Sequence, residues 1–232
     1  MDEIAYRNYP DELVWDDRIN PETYKKKLMN QKIAIKMFEE AELYCEKNHP
    51  DELNWAKGIG PETFKNLKAQ QFLAEYCWVV YASGFKVSTV KSIFPNLKKA
   101  FKDFELETLA RMKSIKEALS VFNNERKASC FLNGSKMIAD EGFSVFKKRL
   151  KNEGIDMLEL LPGIGPITKF HLAKNIGFVD EAKPDIWLVR AAEVCDSTVE
   201  ELVAFLSEKY KLSRNTVDVI LWRHCADKGV GL

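Results

Sequence analysis

The chain is poor in the residues that punctuate or staple a small fold: its 232 positions hold 11 glycines, 8 prolines, 5 cysteines and 3 histidines. Cys45, Cys77, Cys130, Cys195 and Cys225 are odd in number, scattered, and nowhere paired as CxxC. That spacing excludes a disulfide framework, a zinc knuckle and an iron–sulfur cluster. His171 and His224 fall on apolar helical segments without a ligand-spaced partner, so they are expected as structural histidines and no metal site is assigned. Net charge is zero, with 35 Lys and Arg against 35 Asp and Glu. No apolar run is long enough to span a bilayer, and the N-terminus, Met1-Asp-Glu-Ile-Ala-Tyr-Arg7, has no apolar signal region. These absences lead to the expectation of a reduced protein without a membrane partner, cytoplasmic (nucleoid-associated in a prokaryote) or nuclear. Sustained two-residue alternation bounded by hairpin turns is also missing, which argues against sheets.

What is present is helical. About 46% of residues are hydrophobic, enough to core one or two domains. A helical pattern runs from about Pro21 to Cys45, and Phe64–Ser83 forms a second helix. The end of that helix, from Phe72, is apolar nearly all round and so is predicted to be a central buried element closed by Gly84. Further helices are expected at Ser88–Phe94, Pro95–Phe104, Glu107–Val121, Glu125–Asp140, Phe143–Lys151, Asp156–Leu161, from Pro166, from Asp185 to Cys195, and at Thr198–Lys211 and Arg214–Asp227. The fold class is all-α, with more than ten helices.

The opening carries a repeat. Tyr9–Lys25 recurs forty positions later as His49–Lys65, identical at ten of seventeen positions, Trp15 and Trp55 among them. Each copy reads as an irregular turn feeding a helix, with Asn20 or Gly60 as cap and Pro21 or Pro61 as first residue. Charge is also unevenly spread. Between Lys86 and Lys151 lie fifteen basic and seven acidic residues, which is either an electrostatic footprint for DNA or a set of solvated helix faces.

The most informative stretch is Leu161-Pro-Gly-Ile-Gly-Pro-Ile-Thr-Lys-Phe-His-Leu-Ala-Lys-Asn-Ile-Gly177, followed by Lys183-Pro-Asp-Ile-Trp-Leu-Val-Arg190. A helix ending at Leu161 turns on Gly163 and Gly165 into a helix that starts at Pro166. Free amides of such a loop, at a helix N-terminus, suit a phosphate oxygen, with Thr168 and Lys169 in the first turn. Gly58-Ile-Gly-Pro61 is similar, but it follows a polar segment and reads as a cap. Asp185, opening the next helix, either complements that helix's dipole or does chemistry.

Those residues, from Leu161-Pro-Gly-Ile-Gly through Gly177 to Asp185 and Arg190, resemble the helix-hairpin-helix DNA glycosylases with the Gly/Pro-rich loop and catalytic aspartate. The resemblance spans Phe72 to Arg190 and is most specific from Leu161 onward. It implies an all-α, two-domain architecture with a cleft between the domains. Residues 68–178 would form a helical barrel ending in the hairpin, and residues 1–67 with 179–232 the second domain carrying Asp185. The partner implied is double-stranded DNA containing a modified base, held through Gly163, Ile164, Gly165, Thr168 and Lys169 and bound by a monomer. No cofactor is required, although a monovalent cation on hairpin carbonyls is suggested. Bifunctional members place a Schiff-base lysine where this chain has Ile167, eighteen residues before Asp185, so the resemblance points to a monofunctional enzyme. Lys136 and Lys169 are the lysines considered as displaced replacements. Phe85 is a wedge candidate or a core plug. Trp55, Tyr81 and Trp187 are base-stacking candidates or core. The competing expectations are a helix-hairpin-helix module that binds DNA without chemistry, and a displaced-lysine lyase.

Overall fold

The computed structural model describes residues 28–230, so the first copy of the repeat, residues 9–25, lies outside it. Among the described residues the chain is helical with no strand, as the missing alternation predicts. Helices α1 (Gln31–Asn48), α2 (Pro50–Gly58), α3 (Pro61–Lys65), α4 (Ala69–Ala82) and α5 (Val87–Ala100) come first. α6 (Leu106–Arg111), α7 (Lys116–Val121), α8 (Glu125–Glu141) and α9 (Phe143–Glu153) follow. α10 (Thr168–Asn175), α11 (Ile186–Val194), α12 (Val199–Tyr210) and α13 (Arg214–Lys228) close the order, with 3-10 turns at Lys102–Phe104 and Ile155–Leu160.

Two hydrophobic clusters organise these helices. The first runs from Leu67 to Ile176 and is built around α4, which buries Phe72, Leu73, Tyr76, Cys77, Val79, Val80 and Tyr81. Fully burying one such large side chain contributes roughly 1.5–3 kcal/mol. That is why α4 is central despite having almost no charged residue to solvate it. The second cluster joins Ala34–Leu53 to Leu188–Cys225, so that α1 and α2 pack with α11, α12 and α13. The chain therefore leaves the second cluster after α2, builds the first, and returns to the second after α10. The crossing, residues 177–185, carries Asp185 at its end.

Several boundaries differ from the sequence reading, each for a local reason. Pro95 does not divide two helices but sits inside α5. It forgoes one backbone hydrogen bond, while Val90 and Leu97 on either side of it anchor in the first cluster. The expected Glu107–Val121 helix breaks between α6 and α7, and Phe64–Ser83 is divided between α3 and α4. The largest difference is at Pro50–Gly58, read as an irregular turn but helical as α2, with Pro50 as its first residue. Its polar residues conceal a stripe of two small contacts, Leu53 and Ala56, and both are buried.

An ion pair fastens α2 to α13. The Arg223 guanidinium donates from Nε and Nη2 to the two Glu52 oxygens, each at 2.7 Å. Arg223 is only 6% exposed, and its other face lies 4.5 Å from the Trp222 ring centroid. Removing one partner of such a pair strands the other charge. Arg223→Ala is expected to lower the unfolding free energy by about 3 kcal/mol, read from urea titration. A midpoint and slope like those of the parent would show that the pair fastens nothing.

Candidate functional site

The hairpin is held in shape from below. Leu161 is buried, and its carbonyl accepts the Ile164 N–H at 3.0 Å. Gly163 has φ +84°, and a Cβ there would press on Cys130 Cβ at 3.2 Å and Val80 Cγ2 at 3.3 Å, so both backbone and space demand glycine. The Tyr76 hydroxyl donates to the Pro162 carbonyl at 2.6 Å, tying the loop to α4. The Gly165 N–H donates to Thr168 Oγ1 at 2.7 Å, and the Lys169 N–H to the Gly165 carbonyl at 3.0 Å. α10 starts at Thr168 rather than at Pro166, because Pro166 and Ile167 form the turn ahead of it.

Two hairpin side chains have partners within the protein. Lys169 does not face outward: Asp156 Oδ1 and Glu159 Oε1 each lie 2.5 Å from its Nζ. Hydrogen bonds to Asp156 and Glu159 raise its pKa, and they engage two of the three ammonium donors. Ile164 packs its side chain into the first cluster, so it can offer a ligand only its backbone. Ile167, directly before α10, is 45% exposed.

Asp185 caps α11. Its Oδ1 accepts the Trp187 and Leu188 amides at 3.0 and 3.3 Å, and Lys183 Nζ lies 3.0 Å from its Oδ2. The side chain is 12% exposed. Lys183 is fixed in turn, its backbone N–H donating to Asp218 Oδ2 at 2.5 Å. That same oxygen is 2.8 Å from Lys174 Nζ, and both of these side chains are nearly buried. Two ion pairs joined by the Lys183 backbone amide therefore link α10, the second helix of the hairpin, through α13 and the crossing to the carboxylate that caps α11. Burial raises the Asp218 pKa against the opposing pull of Lys174. His171, one turn before Lys174, is held neutral. Burial first, then Lys183 and Lys174, push its pKa well below the usual range.

Lys174, Lys183 and Asp218 escaped the sequence reading. For Lys183 a signal existed: a residue before proline is extended, which puts residues two apart on one side of the chain. Nothing in the sequence pairs Asp218 with Lys174.

The other candidates divide between core and surface. Tyr81 is 1% exposed, wedged against Phe101 and Phe122 with its hydroxyl unpartnered, so it has no face for a stacked base. Trp187 packs partly into the second cluster, with the Arg190 guanidinium 5.5 Å from its ring centroid. Trp55 on α2 and Phe85 after α4 are exposed, Phe85 at 40%. In the basic run Lys147–Lys151, Lys147 Nζ donates to the Lys65 carbonyl at 2.8 Å and Arg149 is doubly bonded to Glu141. Those two cations hold the protein together. His224 stands edge-on to Tyr44. Among the described residues, no helix is long and apolar enough to cross a membrane.

Helices around a central α4, a glycine hairpin opening α10 and a capping aspartate after the return crossing together make an all-α fold among the described residues. Two solved structures are similar to this chain throughout their own length. One is the 8-oxoguanine DNA glycosylase of Thermotoga maritima, with TM-score 0.56 and 16% identity over 84% of this chain and 98% of that one. The other is the Methanocaldococcus jannaschii 8-oxoguanine glycosylase/lyase in complex with a 15mer DNA containing 8-oxoguanine. It has TM-score 0.55 and 15% identity over 85% of this chain and 99% of that one. No family model matches the chain, and no curated protein sequence matches it.

Proposed function

We propose that this protein is a DNA glycosylase that hydrolyses the bond between a modified base and deoxyribose, leaving an abasic site. The observation that carries the reading is the environment of Asp185 within this fold: a scarcely exposed carboxylate, fixed by two amides, with a cation on its remaining oxygen. Loss of the base leaves positive charge on the sugar, and a preorganised carboxylate beneath the ring lowers the energy of that charge. In the free protein the Lys183 ammonium occupies the electrostatic position that the sugar cation would take, and its flexible stem lets it withdraw. Asp185 also orients the attacking water. The extruded base would be met by Trp55 or Trp187, with Phe85 as the wedge in the vacated stack. The barrel of residues 68–178 and the second domain, residues 1–67 with 179–232, would flank the cleft.

Ile167 has no nucleophile, so water is the attacking group and the enzyme is monofunctional. No step is assigned to a cation at the hairpin. A monovalent cation on the hairpin would share the Leu161, Pro162 and Gly165 carbonyl oxygens, each of which already accepts a hydrogen bond and keeps a second lone pair. Oxidised guanine is the first substrate to examine, since both similar structures are named for it. The test is a panel of duplexes containing oxidised guanine, deaminated bases, alkylated purines and bulky modified pyrimidines, scored for free base and for alkali-labile sites. Release of one class without strand cleavage is expected. Salt-sensitive binding with no base released from any duplex would replace this reading with a DNA-binding module.

A further inference from the structure

We propose that Lys127 is a positioning residue that locks the loop after α4 so that Phe85 stands as a rigid post beside the hairpin. The proposal rests on Phe85 being the wedge of the glycosylase reading. An α-helix ends with carbonyls that have no partner within the helix. On α4 the Lys127 ammonium takes two of these ends, donating to the Val80 carbonyl at 2.6 Å and the Ser83 carbonyl at 2.7 Å. A cation there also complements the helix dipole. The same Nζ lies 5.2 Å from the centroid of the Phe85 ring, a cation–π distance. The ring's edge meets Phe122, centroids 5.1 Å apart. Gly84, at φ +76°, makes the turn between them, and the Phe85 N–H returns to the Ala82 carbonyl at 3.2 Å.

Lys127 is itself well founded. It lies in the first turn of α8, where its N–H donates to the Asn124 cap at 3.0 Å. The hairpin is close by: Gly163 sits against Val80 and Cys130, the first bonded to Lys127 and the second one turn along the same helix. An exposed phenyl ring is thus clamped on two sides, next to the loop that would hold the DNA backbone. Core packing does not require this, because Phe85 remains 40% exposed. An ammonium committed to two carbonyls supplies rigidity to the loop rather than charge to a phosphate. Inserting an apolar side chain into a base stack costs unstacking, and a wedge already fixed in place loses less freedom as it enters.

The test uses the Asp185→Asn protein, so that no chemistry intervenes, and a duplex with 2-aminopurine beside a tetrahydrofuran abasic analogue. Stacked 2-aminopurine is quenched and brightens when a wedge unstacks it. Binding is expected to brighten the probe, Phe85→Ala to abolish the signal, and Lys127→Met to cut it about threefold or more. Lys127→Arg, which still reaches the carbonyls, should restore most of it; Lys127→Gln replaces Lys127→Met if the latter does not fold. Brightening by Lys127→Met equal to that of the parent overturns the proposal, as does a parent protein that leaves the probe dark. If brightening follows Phe85 and Lys127 while no duplex in the base-release panel is processed, the post stands and the glycosylase reading falls.

Discussion

Asp185→Asn is expected to cut base release by a factor of about 10³ or more while leaving duplex binding in place. The two roles of this side chain separate cleanly in the geometry. Oδ1 caps α11 by accepting the Trp187 and Leu188 amides, and a carboxamide oxygen can still do that. Oδ2 faces Lys183, and the substitution removes the negative charge that the two oxygens share. Asp185→Ala additionally loses the cap, at about 1 kcal/mol of stability. Comparing the two variants therefore distinguishes charge from fold. If Asp185→Asn is inactive with an unchanged melting temperature, the carboxylate acts in chemistry. If its base release lies within about tenfold of the parent, Asp185 is only a helix cap and the catalytic group lies elsewhere.

How much of this was legible in the sequence depends on the range of the interaction. Hairpin and cap follow from neighbours in the chain. Gly163 must turn left-handed, and an aspartate before an apolar helix accepts that helix's first amides, so both could be read in advance. The apolar run from Phe72 likewise announced α4 as the central helix. Pro95 and α2 were misread because tertiary packing overrode a local signal, the anchoring of Val90 and Leu97 in one case and of Leu53 and Ala56 in the other. Lys169 shows the limit most clearly. Placed in the first turn after the hairpin, it reads as a phosphate ligand, and nothing local shows that Asp156 and Glu159 of the preceding turn bond it. The Lys174–Asp218 pair joins residues 44 positions apart in sequence, and no periodicity encodes such a meeting.

Ile167→Lys should add a lyase-type covalent step that the parent lacks. The position precedes α10 directly and is 45% exposed, so a longer polar side chain enters without burying charge or displacing core. Supplied with DNA that already contains an abasic site, the new amine attacks C1′ of the open-chain aldehyde. Water leaves and an imine forms between Nζ and C1′. Borohydride then delivers hydride to the imine carbon and fixes the protein to the strand as a secondary amine. Starting from abasic DNA removes any dependence on base identity or on Asp185. Proximity converts this condensation into an intramolecular event, so trapped complex should exceed the parent's background by about tenfold or more. Peptide mapping must then place the adduct on residue 167. Trapping at the background level would mean that this position does not face the sugar, and the monofunctional reading of Ile167 would lose its basis. An adduct already present in the parent and mapping to Lys183, whose amine lies 3.0 Å from Asp185, would overturn that reading in a different way. The hydrolytic enzyme proposed above would then be a lyase whose amine comes from the crossing rather than from the hairpin.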